Sequence, residues 1–209
     1  TVALEQMVMQ QVRAWDVLEE RVLDTLRRVP RERFVPTAFR AVAYADAAIP
    51  LPHGQHMLTP QFIGRILKAI WAAPTETVLE IGTGSGYLTA CLASSSRHVH
   101  SIEIHEDLAA SARARFAAEA IANAEVRTAD VFELSFESHY DIIVLTGSLP
   151  RYDERFQRAL AVGGRPAGAP HVPDDLDEPG PVRNLDRAAA ARYAFAPFRV
   201  LTGDASERL

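Results

Sequence analysis

Hydrophobic positions in the first third of the chain recur at helical spacing. Apolar residues over 4–29 return every three or four positions, which predicts two helical pieces that end before Pro30. The same spacing over 61–71 predicts another helix. Between them, residues 31–60 carry prolines that forbid one long helix, so we expect short helical turns joined by extended segments.

From residue 77 onward the pattern changes to short apolar runs that alternate with helical runs. The apolar runs predict four strands, at 77–81, 98–104, 124–129 and 140–146. The helical runs predict three helices, at 87–94, 107–120 and 151–161. This alternation predicts an α/β fold, with a parallel sheet and helices on both faces. In such sheets, ligands bind at the carboxyl ends of the strands.

The C-terminal part is irregular in pattern. Prolines are dense over 166–183, so this segment is predicted to be either a loop or a disturbed strand. Residues 192–201 alternate and predict a strand, for which Pro197 favours an edge position. We expect one domain over the 209 residues. It would comprise a helical, substrate-side extension, a cofactor-binding core and an atypical C-terminal segment, at 1–75, 76–165 and 166–209.

Charge and composition indicate which partners and which cellular compartment to expect. The net charge is −5, and four arginines, Arg27, Arg28, Arg31 and Arg33, are interspersed with acids, which predicts a solvated face and no nucleic-acid partner. Cys91 is the only cysteine, which fits a reducing compartment. No apolar run approaches the roughly 18–20 residues of a membrane span, and no signal-like segment opens the chain. We therefore expect a cytoplasmic protein with no membrane partner.

Three glycines follow the first predicted strand at every second position, in the segment "TVLEIGTGSGY". They are Gly82, Gly84 and Gly86. The dinucleotide fingerprint G-x-G-x-x-G would need its third glycine at Tyr87. The phosphate-binding loop needs a lysine beside the glycines, and Lys68 is the only lysine in the chain. Both kinds of phosphate-binding loop are therefore disfavoured.

Two acids flank this glycine loop. Glu103 ends the next predicted strand, where a carboxylate can accept hydrogen bonds from both hydroxyls of a ribose. Glu80 lies two residues before the first glycine, where its charge would repel a phosphate and attract a cation. S-adenosylmethionine has a ribose, a sulfonium and an amino group but no phosphate. The residues therefore favour this cofactor, with its adenosine near Glu103 and its methionine part over the loop.

The loop and its surroundings resemble a known family. "VLEIGTGSGY" followed by "SIEI" is similar to the class I S-adenosylmethionine-dependent methyltransferases, which have a Rossmann-like fold. "MVMQQVRAW", "VPRERFVP", "AYADAAIPLPHGQ" and "YDIIVLTGSLP" narrow the resemblance to the protein-L-isoaspartate O-methyltransferases, over about residues 5–165. That family methylates the α-carboxylate of isoaspartyl residues in damaged proteins or peptides. The ester then cyclises to a succinimide, which hydrolyses partly to normal aspartate.

The resemblance also implies which residues contact cofactor and substrate. The implied cofactor contacts are Glu80, Gly82, Thr83, Gly84, Ser85, Gly86, Glu103, Asp130 and Thr146. Among them, Asp130 matches the acid that faces the adenine edge, and Thr146 matches the floor of the same crevice. The implied substrate-side residues are Gln55, Leu58 and Pro60.

One motif departs from the family pattern, which reads G-Q-x-x-S-x-P. The segment here is "GQHMLTP", so Leu58 stands at the serine position and Thr59 follows it. In the family that serine hydroxyl lies close to the methyl group and the substrate carboxylate, so Thr59 is the candidate catalytic hydroxyl. The alternative is an S-adenosylmethionine-binding homologue whose acceptor is lost or changed, to a small molecule or another protein site.

Histidines do not form a predicted metal site. His53 and His56 flank Gly54 and Gln55, but no carboxylate or cysteine nearby completes a ligand set. His98 and His100 share one face of a predicted strand, which suggests a position at the rim of the fold and not a ligand set. The sequence therefore predicts no metal.

Overall fold

A computed structural model describes most of the chain, and its N-terminal part is helical. The described residues are 1–136, 140–147, 155–161 and 199–202. Helix α1 (Val2–Gln6) continues into a π-helical turn (Met7–Val12) and a 3₁₀ turn (Arg13–Trp15). Helix α2 (Glu20–Arg28) ends before Pro30. The two predicted helical pieces are confirmed, although only the second is a regular α-helix throughout.

Short elements fill the stretch before the next helix, as predicted. They are 3₁₀ turns at Arg31–Arg33, Thr37–Val42 and Pro52–Gly54, and an antiparallel pair of short strands, β1 (Ile49–Pro50) and β2 (His56–Met57). Helix α3 (Pro60–Ile70) then begins with proline at its first position, where a missing N–H costs no helical hydrogen bond. One face of α3 is buried against the π-helical turn and α2.

Five strands of the described part of the chain form a sheet at the centre of the fold. Its strands are β3 (Thr77–Ile81), β4 (His98–Glu103), β5 (Ala124–Thr128), β6 (Ile142–Leu145) and β7 (Arg199–Thr202). The spatial order is β5-β4-β3-β6-β7, and β3 to β6 run parallel. From β3 the chain adds β4 and then β5 on one side of the sheet, and β6 then pairs with the other side of β3. Ligands bind at such a switch point, at the carboxyl ends of the strands.

Both faces of the sheet are covered, as the alternation predicted. Helices α3, α4 (Tyr87–Ala93) and α5 (Glu106–Ala118) bury one face, in a cluster that also includes residues from the N-terminal part. The other face packs against a 3₁₀ turn (Val131–Glu133) and the short helix α6 (Arg155–Arg158), through Val131 and Phe156. The proposed division of the chain at 75/76 and 165/166 stays a prediction.

Strand β7 is the outermost of the described strands on its side of the sheet. It pairs antiparallel with β6 and includes the last residues of the edge strand predicted over 192–201, whose residues 192–198 lie outside the described part of the chain. The predicted loop or disturbed strand at 166–183 and the first residues of the helix predicted over 151–161 lie outside the described residues. Among the helices that the structure describes, none has the length and apolar character needed to cross a bilayer.

Candidate functional site

A cavity of about 870 Å³ lies at the carboxyl ends of the parallel strands. Loops that follow four successive strands form one wall, at 82–85, 103–105, 129–132 and 146–147. The segment 54–58, which includes β2, also lines the cavity. A cavity of this size can enclose a nucleoside-sized cofactor together with a substrate group.

The glycine loop is shaped by close contacts between backbones. Gly82 has φ +102°, and a Cβ placed there would lie 2.6 Å from the backbone nitrogen of Gly147. Gly86 has φ +83°, and a Cβ there would lie 2.9 Å from the Phe116 ring. L-residues with a side chain rarely adopt these conformations. Glycine at both positions therefore lets the loop lie against its neighbours at the base of the cavity.

Glu103 fastens the end of β4 to this loop. Its Oε2 accepts a hydrogen bond from the backbone N–H of Gly84 at 2.8 Å, and its Oε1 accepts one from the N–H of His105 at 3.1 Å. The side chain lines the cavity although it is 6% exposed. A carboxylate oxygen has two lone pairs, so each oxygen retains the capacity to accept a ligand hydroxyl.

Glu80 lies beneath the loop and is fully buried in β3. Its Oε2 accepts hydrogen bonds from the hydroxyls of Thr89 and Ser101, the latter at 2.7 Å. Its Oε1 has no hydrogen-bond partner among the described residues. Burial raises the pKa of Glu80 to about 7. The expected fixed negative charge is therefore corrected to a carboxyl group that is partly protonated near neutral pH.

The remaining predicted cofactor residues lie around the same cavity. Asp130 Oδ1 accepts a hydrogen bond from the Phe132 N–H at 2.8 Å, which orients the carboxylate at the wall. Thr146 donates its hydroxyl to the carbonyl oxygen of Gly82 at 2.9 Å, which joins the ends of β3 and β6. Thr83 and Ser85 also line the cavity, whereas Gly86 does not, because it already begins helix α4.

The predicted substrate-side residues divide into two groups. Gln55 and Leu58 line the cavity, whereas Thr59 and Pro60 do not. Thr59 is the N-cap of α3 and is 3% exposed, and its Oγ1 accepts a hydrogen bond from the Phe62 N–H at 3.4 Å. The predicted catalytic role of Thr59 therefore has no support from this geometry. A threonine directly before a proline that opens a helical run is the signal that indicates a cap.

Replacing Thr59 with alanine should lower the free energy of unfolding by about 1 kcal/mol, the usual loss for an N-cap hydroxyl. Because the hydroxyl is bound within α3, we expect cofactor affinity to stay within twofold of the unaltered protein. Chemical denaturation and calorimetric titration with S-adenosylhomocysteine measure the two quantities, and Thr59→Ser should restore the stability. Unchanged stability with a large loss of methyl transfer would instead support the catalytic role.

Arg31 is a functional neighbour that the sequence reasoning missed, since it was expected on a solvated face. The side chain is fully buried. Its guanidinium donates to the carbonyl oxygens of Ala43 and Leu58, each at 2.8 Å, and lies 5.0 Å from the centre of the Tyr87 ring. Burial lowers its pKa. Arg31 therefore connects three parts of the chain behind the cavity wall that carries Leu58.

Two histidine side chains, His53 and His105, stack on each other beside the cavity. The His53 ring stacks on the His105 ring with centroids 3.9 Å apart, and His53 Nε2 lies 2.8 Å from Asp107 Oδ1. His105 is part of the cavity wall. The turn before Gly54 and Gln55 is thereby in contact with the start of α5 beside the cavity.

Comparison with known proteins gives relatives over most of the chain. A family model for Protein-L-isoaspartate(D-aspartate) O-methyltransferase (PCMT) matches residues 3–170. A protein-L-isoaspartate O-methyltransferase of Koribacter versatilis is 36% identical over 170 residues, which covers 79% of this chain and 77% of the relative. Protein-L-isoaspartate O-methyltransferase 1 of Rhodopseudomonas palustris strain HaA2 is 39% identical, and the match covers 79% of this chain and 69% of the relative.

Solved structures agree on the fold. A Plasmodium falciparum crystal structure, described as a protein-L-isoaspartate O-methyltransferase in complex with S-adenosyl-L-homocysteine, superposes with a TM-score of 0.64. The match covers 75% of this chain and 79% of that one, at 20% identity, so it supports the fold alone. The family model and the sequence relatives show, in addition, the family to which the chain belongs. The chain belongs to the protein-L-isoaspartate(D-aspartate) O-methyltransferase family.

Proposed function

We propose that this chain is an S-adenosylmethionine-dependent O-methyltransferase that methylates the α-carboxylate of isoaspartyl residues in damaged proteins or peptides. The observation that carries the proposal is the buried carboxylate of Glu103, held against the glycine loop in the wall of a cavity of about 870 Å³. This arrangement suits a ribose-bearing cofactor without phosphate. Family membership supplies the acceptor class.

The chain's own residues fit a binding role toward this cofactor. All of these residues line the cavity: Glu103 would accept the ribose hydroxyls, Asp130 would face the adenine edge, and the loop at 82–85 would face the methionine part. When bound, S-adenosylmethionine supplies the methyl group on a sulfonium leaving group. Glu80, beneath the loop, has a carboxyl group that a nearby cation would favour in its ionised form.

Methylation of a carboxylate demands little acid–base help from the protein. The acceptor is already ionised near neutral pH, so no general base is required to activate it. The protein must instead align the attacking oxygen with the methyl carbon and the sulfur. The segment 54–58 also lines the cavity, so we propose that Gln55 and Leu58 contact the acceptor.

Transfer of label to peptide tests the proposal. The protein is incubated with an isoaspartyl peptide and methyl-labelled S-adenosylmethionine, and slow formation of base-labile methyl ester is the expected result. The matched peptide with normal aspartate is the control and should stay unlabelled. A protein that binds the cofactor in thermal-shift titration but leaves the isoaspartyl peptide unlabelled would contradict the acceptor assignment.

Replacing Glu103 with glutamine should raise the Kd of the cofactor about 30-fold, or about 2 kcal/mol, because hydrogen bonds to a charged acceptor become neutral ones. The loss should be equal for S-adenosylmethionine and S-adenosylhomocysteine, since both have the same ribose. Calorimetric titration gives both constants, with Glu133→Gln, at an exposed acid outside the cavity, as control. Unchanged affinity for both ligands would place the ribose elsewhere.

A second candidate function is supported by Leu58. An apolar side chain lines the cavity where the family motif has serine, which favours a homologue with a changed acceptor. Leu58→Ser should raise kcat/KM for the isoaspartyl peptide about tenfold, the effect of one added hydrogen bond to a carboxylate. Leu58→Ala removes the bulk of leucine without adding a hydroxyl, so it serves as the control for the loss of bulk. If serine gives no gain over alanine, the changed acceptor is favoured.

The cellular setting and partners are part of the same proposal. Cys91 is the only cysteine and is buried and free, which supports a reducing, cytoplasmic compartment. The net charge of −5 supports protein or peptide partners over nucleic acid. We also propose that the chain works as one domain, because residues of the N-terminal part and the sheet share one hydrophobic cluster.

A further inference from the structure

Two histidines and a glutamate meet at the end of the sheet that lies away from the cofactor cavity. His98 and His100 are on one face of β4, near its start, whereas the cavity lies beyond Glu103 at its other end. The parallel register places Glu125 of β5 opposite His100. One potential ligand atom from each of the three side chains lies within 4.8 Å of the other two.

The imidazoles are held in place by their surroundings. The His100 Nδ1 is 2.9 Å from the Tyr140 hydroxyl, and the His98 and His100 rings meet edge to face with centroids 4.6 Å apart. Tyr140 is itself buried, at 6% exposure, so the packing around its ring holds the hydroxyl that orients His100. A hydrogen bond at one ring nitrogen is the usual way in which a metal-binding histidine is oriented.

Access from solvent also suits a metal site. Both histidines are half-buried and Glu125 is exposed, so an ion can enter from solvent. The exposed glutamate can also turn to close the ligand set around an ion.

We propose that His98, His100 and Glu125 bind one Zn²⁺ ion, with water in the fourth position. Two imidazoles and a carboxylate form a ligand set that zinc uses in proteins, at about 2.0–2.2 Å from each donor atom. The side chains close inward from their positions in the metal-free cluster. The ion joins β4 to the edge strand β5 and stabilises that side of the sheet. The site is separate from the proposed methyl-transfer cavity, so it does not depend on that function.

Metal titration of the whole protein tests the site. After treatment with a chelator and its removal, Zn²⁺ should raise the Tm and bind one ion per chain in calorimetry. Mg²⁺ should do neither, because it prefers oxygen ligands in octahedral geometry. Co²⁺, used as a spectroscopic probe, should show the visible bands of a tetrahedral complex. Absence of Zn²⁺ binding would overturn the proposal.

Variants locate the ion. His98→Gln combined with Glu125→Gln should weaken Zn²⁺ binding by more than about 100-fold, and Tyr140→Phe should weaken it about 10-fold through the orientation of His100. Glu133→Gln, at an exposed acid elsewhere, should leave Zn²⁺ affinity unchanged. Unaltered affinity for S-adenosylhomocysteine shows that each variant is folded. Equal Zn²⁺ affinity in the double variant and the unaltered protein would overturn the proposed site.

Discussion

Replacing Gly82 with alanine is expected to lower the free energy of unfolding by about 4 kcal/mol, through backbone strain together with overpacking. The position has φ +102°, and the new Cβ would lie 2.6 Å from the nitrogen and 2.9 Å from the Cα of Gly147. These are backbone atoms of the segment that directly follows β6, so they cannot move aside as a flexible side chain does. Chemical denaturation without cofactor measures the effect.

Gly84→Ala is the matched control in the same loop. Gly84 has φ +53°, and a Cβ there would meet only the Leu51 side chain, at 3.5 Å, which is an ordinary contact. The left-handed conformation alone should lower the free energy of unfolding by about 1 kcal/mol. Equal losses for the two variants would show that positive φ, and not the approach of β3 to β6, explains the glycine at position 82.

Stability should decrease as the pH rises from about 4.5 to about 7, because of Glu80. Burial raises the pKa of this carboxyl group from 4.5 to about 7 in the folded protein. Below pH 4.5 both states hold the proton, so its contribution to stability is complete. As the pH rises, the unfolded chain releases the proton first, and the free energy of unfolding decreases by about 3 kcal/mol before levelling above pH 7.

A comparison with Glu80→Gln isolates this contribution from other titrating groups. Glutamine keeps the shape and can still accept hydrogen bonds from Thr89 and Ser101, but it has no proton to release. Denaturant unfolding at several pH values between 4.5 and 8 gives the free energy for both proteins. The difference between them should follow the pH in the stated direction. Parallel curves would mean that Glu80 keeps an ordinary pKa in the folded state.

Regular elements were predictable because their signal is local. The strand predicted over 77–81 is β3 without change, and the strand predicted over 98–104 is β4, His98–Glu103. Helix α5 also agrees with its prediction to within two residues at each end. The π-helical turn Met7–Val12 was not predictable, because its apolar spacing fits an ordinary helix equally well.

Site features that depend on tertiary contacts were not predictable. The position of Glu103 at the end of a strand was sufficient to indicate a cavity residue, since the carboxyl ends of parallel strands share one edge of the sheet. Glu80, by contrast, is buried with hydrogen bonds from two hydroxyls, one from the following helix and one from a neighbouring strand. Glu125 joins the two histidines of β4 only through the register of β5, which no local pattern specifies.

Leu58 is held by its backbone, so the position of the loop does not depend on which side chain stands there. Arg31 holds the carbonyl oxygen of residue 58, an atom that every amino acid has, while the side chain at that position lines the cavity. A codon change at position 58 therefore alters the surface of the cavity wall and leaves the anchoring bond in place. Over evolutionary time, the chemistry of this wall can diverge among descendants through single substitutions, without a redesign of the loop.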